Sequence, residues 1–288
     1  MNAASGNPMN GVSKIAVGEV SESLADQASA TVITELTAAS GSTVTLPMRE
    51  FLRTHALWPA LVFGVAALAM RWSGSDFWLA DAIYGLEGGR WALQDHYLTS
   101  AVLHDGAKTV GRVVISGLLL IALVSGWHPR LRGWARPLWY LIVAMGGSVA
   151  LVGWVKRSGW GLCPWDMTRY GGNQPVGFSY FAPLPGQTDT GHCFPAGHSA
   201  GGFALLALYF LLLHVRPQWA LRGLAVGLGF GLLLGFDQQL RGAHFLSHDL
   251  WTATLCWFTS LGFYLLFFRR PLFFRRAQPA LWVAGARR

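Results

Sequence analysis

Charged residues are scarce in this sequence. They make up 12% of its 288 residues, whereas soluble domains carry about 25%. The scarcity excludes an ordinary soluble domain, and it accompanies 52% hydrophobic residues and a mean hydropathy of +0.37. The composition therefore predicts a protein that resides in a membrane.

Asp, Glu, Lys and Arg are missing from six apolar runs. The runs cover 56–70, 113–129, 137–155, 198–215, 223–236 and 250–268. A membrane-spanning helix needs about 20 residues, so the first and fifth runs are short unless flanking residues contribute. The Gly-rich composition of the fifth run is typical of a tightly packed inner helix. We expect an all-α fold, a polytopic membrane bundle with six transmembrane helices.

Acidic residues are also missing from alternate connections. Arginines without acids follow the second, fourth and sixth runs, while nine of the 14 acids lie in the other connections. The positive-inside rule then places both termini in the cytoplasm. The net charge of +8 is thus a signal of topology, and no nucleic-acid partner is predicted.

The first 46 residues lack apolar periodicity and a signal-peptide core, so we expect a disordered cytoplasmic tail. On the outer side, the segment 71–112 places Phe77, Ala80 and Ile83 near helical spacing. This spacing predicts an outer-face amphipathic segment, either an interfacial helix on the outer leaflet or a packed loop helix.

Polar residues gather at the outer ends of the third to sixth runs. They occur in three segments, VKRSGWGLCPWDMTRYGG (155–172), GHCFPAGHSAGG (191–202) and FDQQLRGAHFLSHDLW (236–251). The topology predicts that the three segments meet at one membrane depth. Each has a structural alternative: a snorkelling Lys156, a His198 that caps a helix, and an interfacial salt-bridge cluster over 241–249.

Together, these residue types suit phosphoryl transfer. Cations such as Lys156 and Arg241, with the backbone amides of a helix that starts near Gly197, hold charged oxygens. One imidazole, His244 or His198, can attack phosphorus while the other protonates the leaving alcohol.

The motifs Lys156…Cys163-Pro164, Pro195-Ala196-Gly197-His198 and Arg241-Gly242-Ala243-His244…Asp249 resemble, in order and spacing, the type 2 phosphatidic acid phosphatase (PAP2) superfamily. The chain is similar to the six-span membrane branch of this superfamily, and the similarity covers roughly residues 51–270. The resemblance implies hydrolysis through a phosphohistidine, without metal or cofactor.

Residue roles follow from the resemblance. His244 is the implied nucleophile, Asp249 orients it, and His198 is the general acid and then the base for water. The implied phosphate ligands are Lys156, Arg157, Ala196, Gly197 and Arg241. The implied domains are a tail at 1–46, a PAP2-like six-helix domain at 47–276 and a basic cytoplasmic tail at 277–288.

Three motif positions depart from the family pattern. Cys163 stands where the family has Arg, and Arg157 and Arg169 are the two alternatives for the missing cation. Ala196 replaces a Ser that is common in the family. In the third motif, Gln238 occupies the family Arg position and His248 the family Asp position, with Asp249 next. We prefer Asp249 as the orienting carboxylate, with His248 as the alternative.

Cys163 and Cys193 both lie in outer segments of the expected site. An oxidising periplasm permits a disulfide between them, with Cys256 left as a buried free thiol. The alternative is that all three cysteines are reduced.

The sequence as a whole favours a lipid-phosphate phosphatase in a bacterial-type inner membrane, with its active site facing the periplasm. Its expected partners are the bilayer and a lipid phosphate. A lipid-to-lipid phosphotransferase is the second hypothesis. A non-catalytic lipid-binding or transport protein is less favoured, because the ionisable residues lie at one rim of the bundle and leave the span centres apolar.

Overall fold

The computed structural model describes residues 46–269. The chain divides into two compact units, Met1–Phe51 and Leu52–Arg288. Only residues 46–51 of the first unit are described, and the packing reported below is that of the second. Apart from residue 46, the predicted tails at 1–46 and 277–288 lie outside the described residues.

Seven helices and no strand occur in the described part of the chain. They are α1 (Met48–Ser73), α2 (Ser75–Leu86), α3 (Leu98–Trp127), α4 (Arg132–Arg157), α5 (Gly197–Val215), α6 (Pro217–Leu240) and α7 (Leu246–Arg269). All except α2 are long and apolar enough to cross a membrane. The predicted all-α bundle with six transmembrane helices is confirmed.

The start of α3 differs from the expectation. The apolar run begins at residue 113, but the helix begins at Leu98, and its first part, Leu98–Gly106, is a π-helix. These first turns carry His104, Asp105 and Lys108, which the search for uncharged runs excluded. The outer connection is therefore shorter than 71–112, and ionisable side chains project from the start of a span.

Helix α2 packs against the outer loops. Its residues Ala80 and Ile83 belong to a buried apolar cluster with Trp91, Tyr170 and Phe245. The amphipathic segment is thus the packed loop helix of the two alternatives, with a buried face.

Asp76, in the first turn of α2, fixes the start of α7. The Ser247 backbone N–H donates to Asp76 Oδ1 at 2.8 Å, which satisfies one of the free amides at a helix start. Burial raises the pKa of the Asp76 carboxyl, although hydrogen bonds from Ser247 oppose this shift. Asp76 thereby helps to set the position of the α7 residues that follow.

A stripe of glycines brings α6 into backbone contact with α5. A Cβ at Gly223 would lie 2.8 Å from the Leu208 carbonyl carbon, and one at Gly227 would lie 2.6 Å from the Leu206 nitrogen. Phe230, on another face of α6, is half exposed. Small residues permit this close approach of membrane helices, as the Gly-rich composition predicts.

Candidate active site

A disulfide joins the two loops that border the site. Cys163, after α4, is bonded to Cys193, before α5, with a Cα–Cα distance of 5.3 Å. The Cys193 N–H also donates to the Gly161 carbonyl at 2.8 Å. Cys256 is a buried free thiol. The segment after Lys156 is therefore held covalently against the segment that leads to His198.

His244 and His248 form a buried pair of imidazoles. His244 lies in the connection between α6 and α7, and His248 lies in the first turn of α7. Their Nδ1 atoms are 3.4 Å apart, so one ring can donate to the other if their tautomers differ. The rings of Phe194 and Phe245 stand edge-on to His248, each at a centroid distance of 5.5 Å. These contacts hold the Nδ1 side of His244.

The environment of His244 favours its neutral form. The side chain is only 6% exposed, and burial lowers its pKa well below the usual value. The charge of Lys156 lowers this pKa further. A neutral imidazole is the nucleophilic form of histidine.

Asp249 faces away from this pair. Its Oδ2 accepts a hydrogen bond from Gln239 Nε2 at 2.7 Å. The Asp249 carboxyl group also packs against α6, because a Cβ added at Gly235 would lie only 2.7 Å from the Asp249 carboxyl carbon. Asp249 is the partner of His244 that the sequence predicts, but in this geometry the adjacent residue, His248, contacts His244.

Lys156 reaches from the end of α4 to the start of α5. A Cβ at Gly197 would lie 3.7 Å from Lys156 Nζ, so the ammonium group sits beside the residue that precedes His198. It also lies within electrostatic range of His244 and His248. The Lys156 ammonium group therefore lies near both segments that carry imidazoles, the one with His198 and the one with His244 and His248.

His198 is oriented by α3. Its Nε2 contacts the Leu103 carbonyl oxygen at 3.3 Å. Because a carbonyl only accepts, Nε2 carries the hydrogen, and Nδ1 is the nitrogen that can exchange a proton with a ligand. The His104 ring packs against His198 with a centroid distance of 4.3 Å. His198 and His244 are near enough for their charges to interact.

The second predicted motif, Pro195-Ala196-Gly197-His198, supports the site through backbone hydrogen bonds and close packing. Ala196 is fully buried, and its N–H donates to the His248 carbonyl at 3.4 Å. The Ala196 carbonyl in turn accepts from the Thr252 hydroxyl at 3.1 Å. These bonds dock the start of α5 on the first turns of α7, so that the segments of His198 and His248 are fixed relative to each other.

The remaining predicted cations divide into two groups. Arg241 is buried at the end of α6, its Nε donates to the Gln94 carbonyl at 2.8 Å, and its charge acts on His198. Arg157 is exposed. Arg169 is held away from the imidazoles by Asp81, which accepts from its Nε at 2.8 Å. Arg169 accordingly lowers the pKa of Asp81, and it is engaged in this pair.

Two side chains that the sequence analysis missed, His104 and Lys108, also lie at the site. His104 Nδ1 contacts Gln238 Nε2 at 3.2 Å, and His104 Nε2 contacts Lys108 Nζ at 2.7 Å. The signal for them is the cluster of polar residues in LHDGAK (103–108), next to an apolar run.

One cluster of possible metal ligands occurs in the described residues 46–269. It consists of Cys163, Asp166 and Cys193. Both sulfurs are bonded to each other, and Asp166 Oδ2 accepts the Cys163 N–H at 3.0 Å. The disulfide and this hydrogen bond explain the cluster without an ion.

Comparison with known proteins gives a family. No curated protein and no solved structure matches the chain. The model of the PAP2 superfamily matches residues 137–272, which include Lys156, His198 and His244. Six candidate transmembrane helices fit the membrane branch of this superfamily. With its motif residues gathered at one end of such a bundle, the chain carries a PAP2-superfamily region at residues 137–272.

Proposed function

We propose that this protein is a metal-independent lipid-phosphate phosphatase that works through a phosphohistidine on His244. PAP2 membership implies phosphatase-type hydrolysis of a lipid phosphate. The observation that carries the finer proposal is the convergence of His244, His198 and Lys156. Two imidazoles from separate segments, with the Lys156 cation near His244 and Gly197, supply a nucleophile, a proton donor and an anchor for phosphate oxygens.

The proposed reaction has two steps. His244 Nε2 forms a bond to phosphorus while the bond to the lipid oxygen breaks, and His198, which enters the step as an imidazolium with hydrogens on both nitrogens, protonates the departing oxygen from Nδ1. Water then forms the new bond to phosphorus, the phosphorus–nitrogen bond breaks, and His198 accepts the proton of water. Lys156 balances the negative charge of the phosphoryl oxygens in both steps.

His248 takes the position that we first expected Asp249 to fill. In the proposed arrangement His244 Nδ1–H donates to His248 Nδ1, so that His244 Nε2 keeps its lone pair, and His248 orients the ring as the third member of a catalytic triad does. A neutral imidazole does this without the full charge of a carboxylate. The nucleophile therefore stays neutral more readily than one paired with Asp would.

The proposed domain covers residues 47–276, and the proposed orientation places both termini in the cytoplasm. The support is the distribution of arginines, since Arg130, Arg216 and Arg269 lie at the bundle end opposite the imidazoles and the positive-inside rule applies to such ends. The site then faces the periplasm of a bacterial-type inner membrane. This compartment permits the Cys163–Cys193 disulfide.

Phosphate release by the purified full-length protein tests the proposal, with a panel of lipid phosphates as substrates. We expect His244→Ala and His198→Ala each to lose at least about 100-fold in kcat, while the exposed histidine variant His128→Ala, at the opposite end of the bundle, keeps wild-type activity. All three should retain the wild-type melting curve in detergent. Full activity of His244→Ala would overturn the nucleophile assignment.

Two inhibitors test the chemistry of the reaction. Vanadate resembles the phosphoryl group in transfer, so it should inhibit competitively with the lipid. EDTA should leave the rate unchanged, since the proposed step uses protein cations alone. Activity that disappears with EDTA and returns with a divalent cation would overturn the metal-independent mechanism.

A further inference from the structure

A positively charged cluster lies at the end of the bundle opposite the imidazoles. Arg136 stands near the start of α4, and His214 stands in the last turn of α5. We propose that these two residues bind the phosphate group of an anionic phospholipid in the leaflet at this end. The inference goes beyond the proposed function and does not depend on it, because no step of the proposed reaction uses either residue.

Phe268, near the end of α7, contacts both side chains. The His214 ring stacks on the Phe268 ring with a centroid distance of 4.1 Å and an interplanar angle of 28°. The guanidinium carbon of Arg136 lies 5.3 Å from the centroid of the same ring, where cation–π attraction favours it. Three helices therefore bring a guanidinium and an imidazole to one aromatic ring.

The donors of Arg136 have no acceptor in the part of the chain that the structure describes. No hydrogen bond or ion pair joins Arg136 to another residue of 46–269. Among the buried side-chain atoms of these residues that lack a hydrogen-bond partner, Arg136 Nε is the one that belongs to a cation. A guanidinium carries five N–H donors in a planar fork that matches phosphate oxygens. Because buried polar groups ordinarily find a partner, we expect an acceptor from outside the protein.

The charges around the cluster favour an anion. The charged groups that act on His214 are Arg136 and Arg269, and both are positive. All nine acidic residues between positions 52 and 269 lie toward the other end of the bundle, where the imidazoles are. A phosphate held by Arg136 and His214 would therefore gain charge-assisted hydrogen bonds and meet no carboxylate from this part of the chain.

The position of the cluster indicates a lipid as the source of the phosphate. Trp127 ends α3, Trp134 precedes Arg136 by two residues, and Trp219 stands near the start of α6. These tryptophans are 84%, 42% and 50% exposed. Exposed tryptophans at the ends of membrane spans mark the level of the lipid headgroups, and basic pockets between transmembrane helices bind anionic headgroups at such a level.

Melting curves of the purified full-length protein in a nonionic detergent test the site. Dioleoylphosphatidylglycerol, which is anionic, should raise the melting temperature more than dioleoylphosphatidylcholine, which has the same tails and no net charge. Arg136→Met should weaken the apparent affinity for phosphatidylglycerol about 10- to 100-fold, since a charge-assisted hydrogen bond is lost. His214→Phe keeps an aromatic ring against Phe268 and should weaken this affinity about 3- to 10-fold. Arg132→Met, at an exposed arginine of the same helix, is the matched control and should respond as the wild type does.

Several outcomes would overturn the inference. Equal stabilisation by the two lipids would remove the preference for an anion, and a preference that survives in both Arg136→Met and His214→Phe would place the lipid elsewhere. An equal loss in Arg132→Met would reduce the effect to general surface charge. Inorganic phosphate that gives the same shift, lost in Arg136→Met, would assign the site to a soluble anion. Because melting requires no turnover and every variant keeps the imidazole site, failure of the proposed phosphatase function would leave this test intact.

Discussion

His248 Nδ1 lies 3.4 Å from His244 Nδ1, while the carboxylate of the next residue, Asp249, accepts from Gln239. Neighbouring residues on a helix project about 100° apart, so only one of the two can face His244. The third motif of this chain therefore separates two tasks. His248 contacts His244, and Asp249 ties α7 to α6.

This separation predicts different effects for two alanine variants. His248→Ala should lower kcat about 10- to 100-fold, as is typical when the residue that orients a functional histidine is lost, and it should also lower stability because the buried ring leaves a cavity. Asp249→Ala should leave Gln239 without its acceptor and cost about 1–3 kcal/mol of unfolding free energy, with kcat largely retained. Steady-state kinetics and melting curves in detergent measure both, and the reverse pattern would restore Asp249 as the partner of His244.

The pH dependence of activity should reflect the buried His244. Its pKa lies well below 6.5 because of burial and the charge of Lys156. The acid limb of the pH profile of kcat/KM should therefore lie well below pH 6.5. Lys156→Met should move this limb to higher pH and should also lower the rate. An acid limb of the wild type at or above pH 6.5 would contradict the assignment.

Stability should follow the same titration. Below pH 6.5 the unfolded chain binds a proton on this histidine and the folded chain does not, so the free energy of unfolding decreases as the pH falls from 6.5 toward the folded pKa. The check is a series of melting curves between pH 7 and pH 4. The decrease should be smaller in His244→Gln, which removes the group.

Loss of the Cys163–Cys193 bond should destabilise the site. The bond closes a loop with a sequence separation of 30, which corresponds to about 3–4 kcal/mol in the chain-entropy model. The double variant Cys163→Ser/Cys193→Ser should therefore melt at a lower temperature and release phosphate more slowly. Dithiothreitol should reproduce the effect in the wild type and leave the double variant unchanged; free thiols at both positions of the untreated protein, found by mass spectrometry, would contradict the bond.

Two glycines of α6 should respond oppositely to the same substitution. A Cβ at Gly227 meets the backbone of Leu206, whereas one at Gly229 meets no atom within 4 Å. Gly227→Ala should cost about 1–3 kcal/mol through overpacking, and Gly229→Ala should be neutral or slightly stabilising because alanine favours helix. Melting curves of the two variants, side by side, test the contact between α5 and α6, and equal stability would refute it.

The six spans could be predicted from the sequence because the bilayer requires long uncharged runs. The same criterion misplaced the start of α3, because His104, Asp105 and Lys108 interrupt the run while the helix continues. Charge is tolerated there because these residues lie at the end of the bundle near the site. An ionisable residue at the edge of an apolar run therefore says more about function than about where a helix ends.

The residues of the site were named from motifs, but their contacts required three-dimensional packing. Spacing alone did not choose between His248 and Asp249, since both lie in the first turn of α7. Arg169 was a candidate phosphate ligand by position, yet Asp81 of α2 holds it, and that contact joins residues 88 apart in the sequence. Such long-range pairs depend on the packing of α2 on the loops. The local sequence pattern did not decide between this packed helix and an interfacial helix on the membrane surface.

The contribution of α3 also determines how much chain a working protein needs. His198 takes its orientation from the Leu103 carbonyl, and that carbonyl belongs to a helix that ends at Trp127, before the family match begins at residue 137. A fragment trimmed to the recognised family boundaries would keep both imidazoles and lose the surface against which one of them rests. The structural unit that holds His198 in place is thus larger than the part by which the family is recognised.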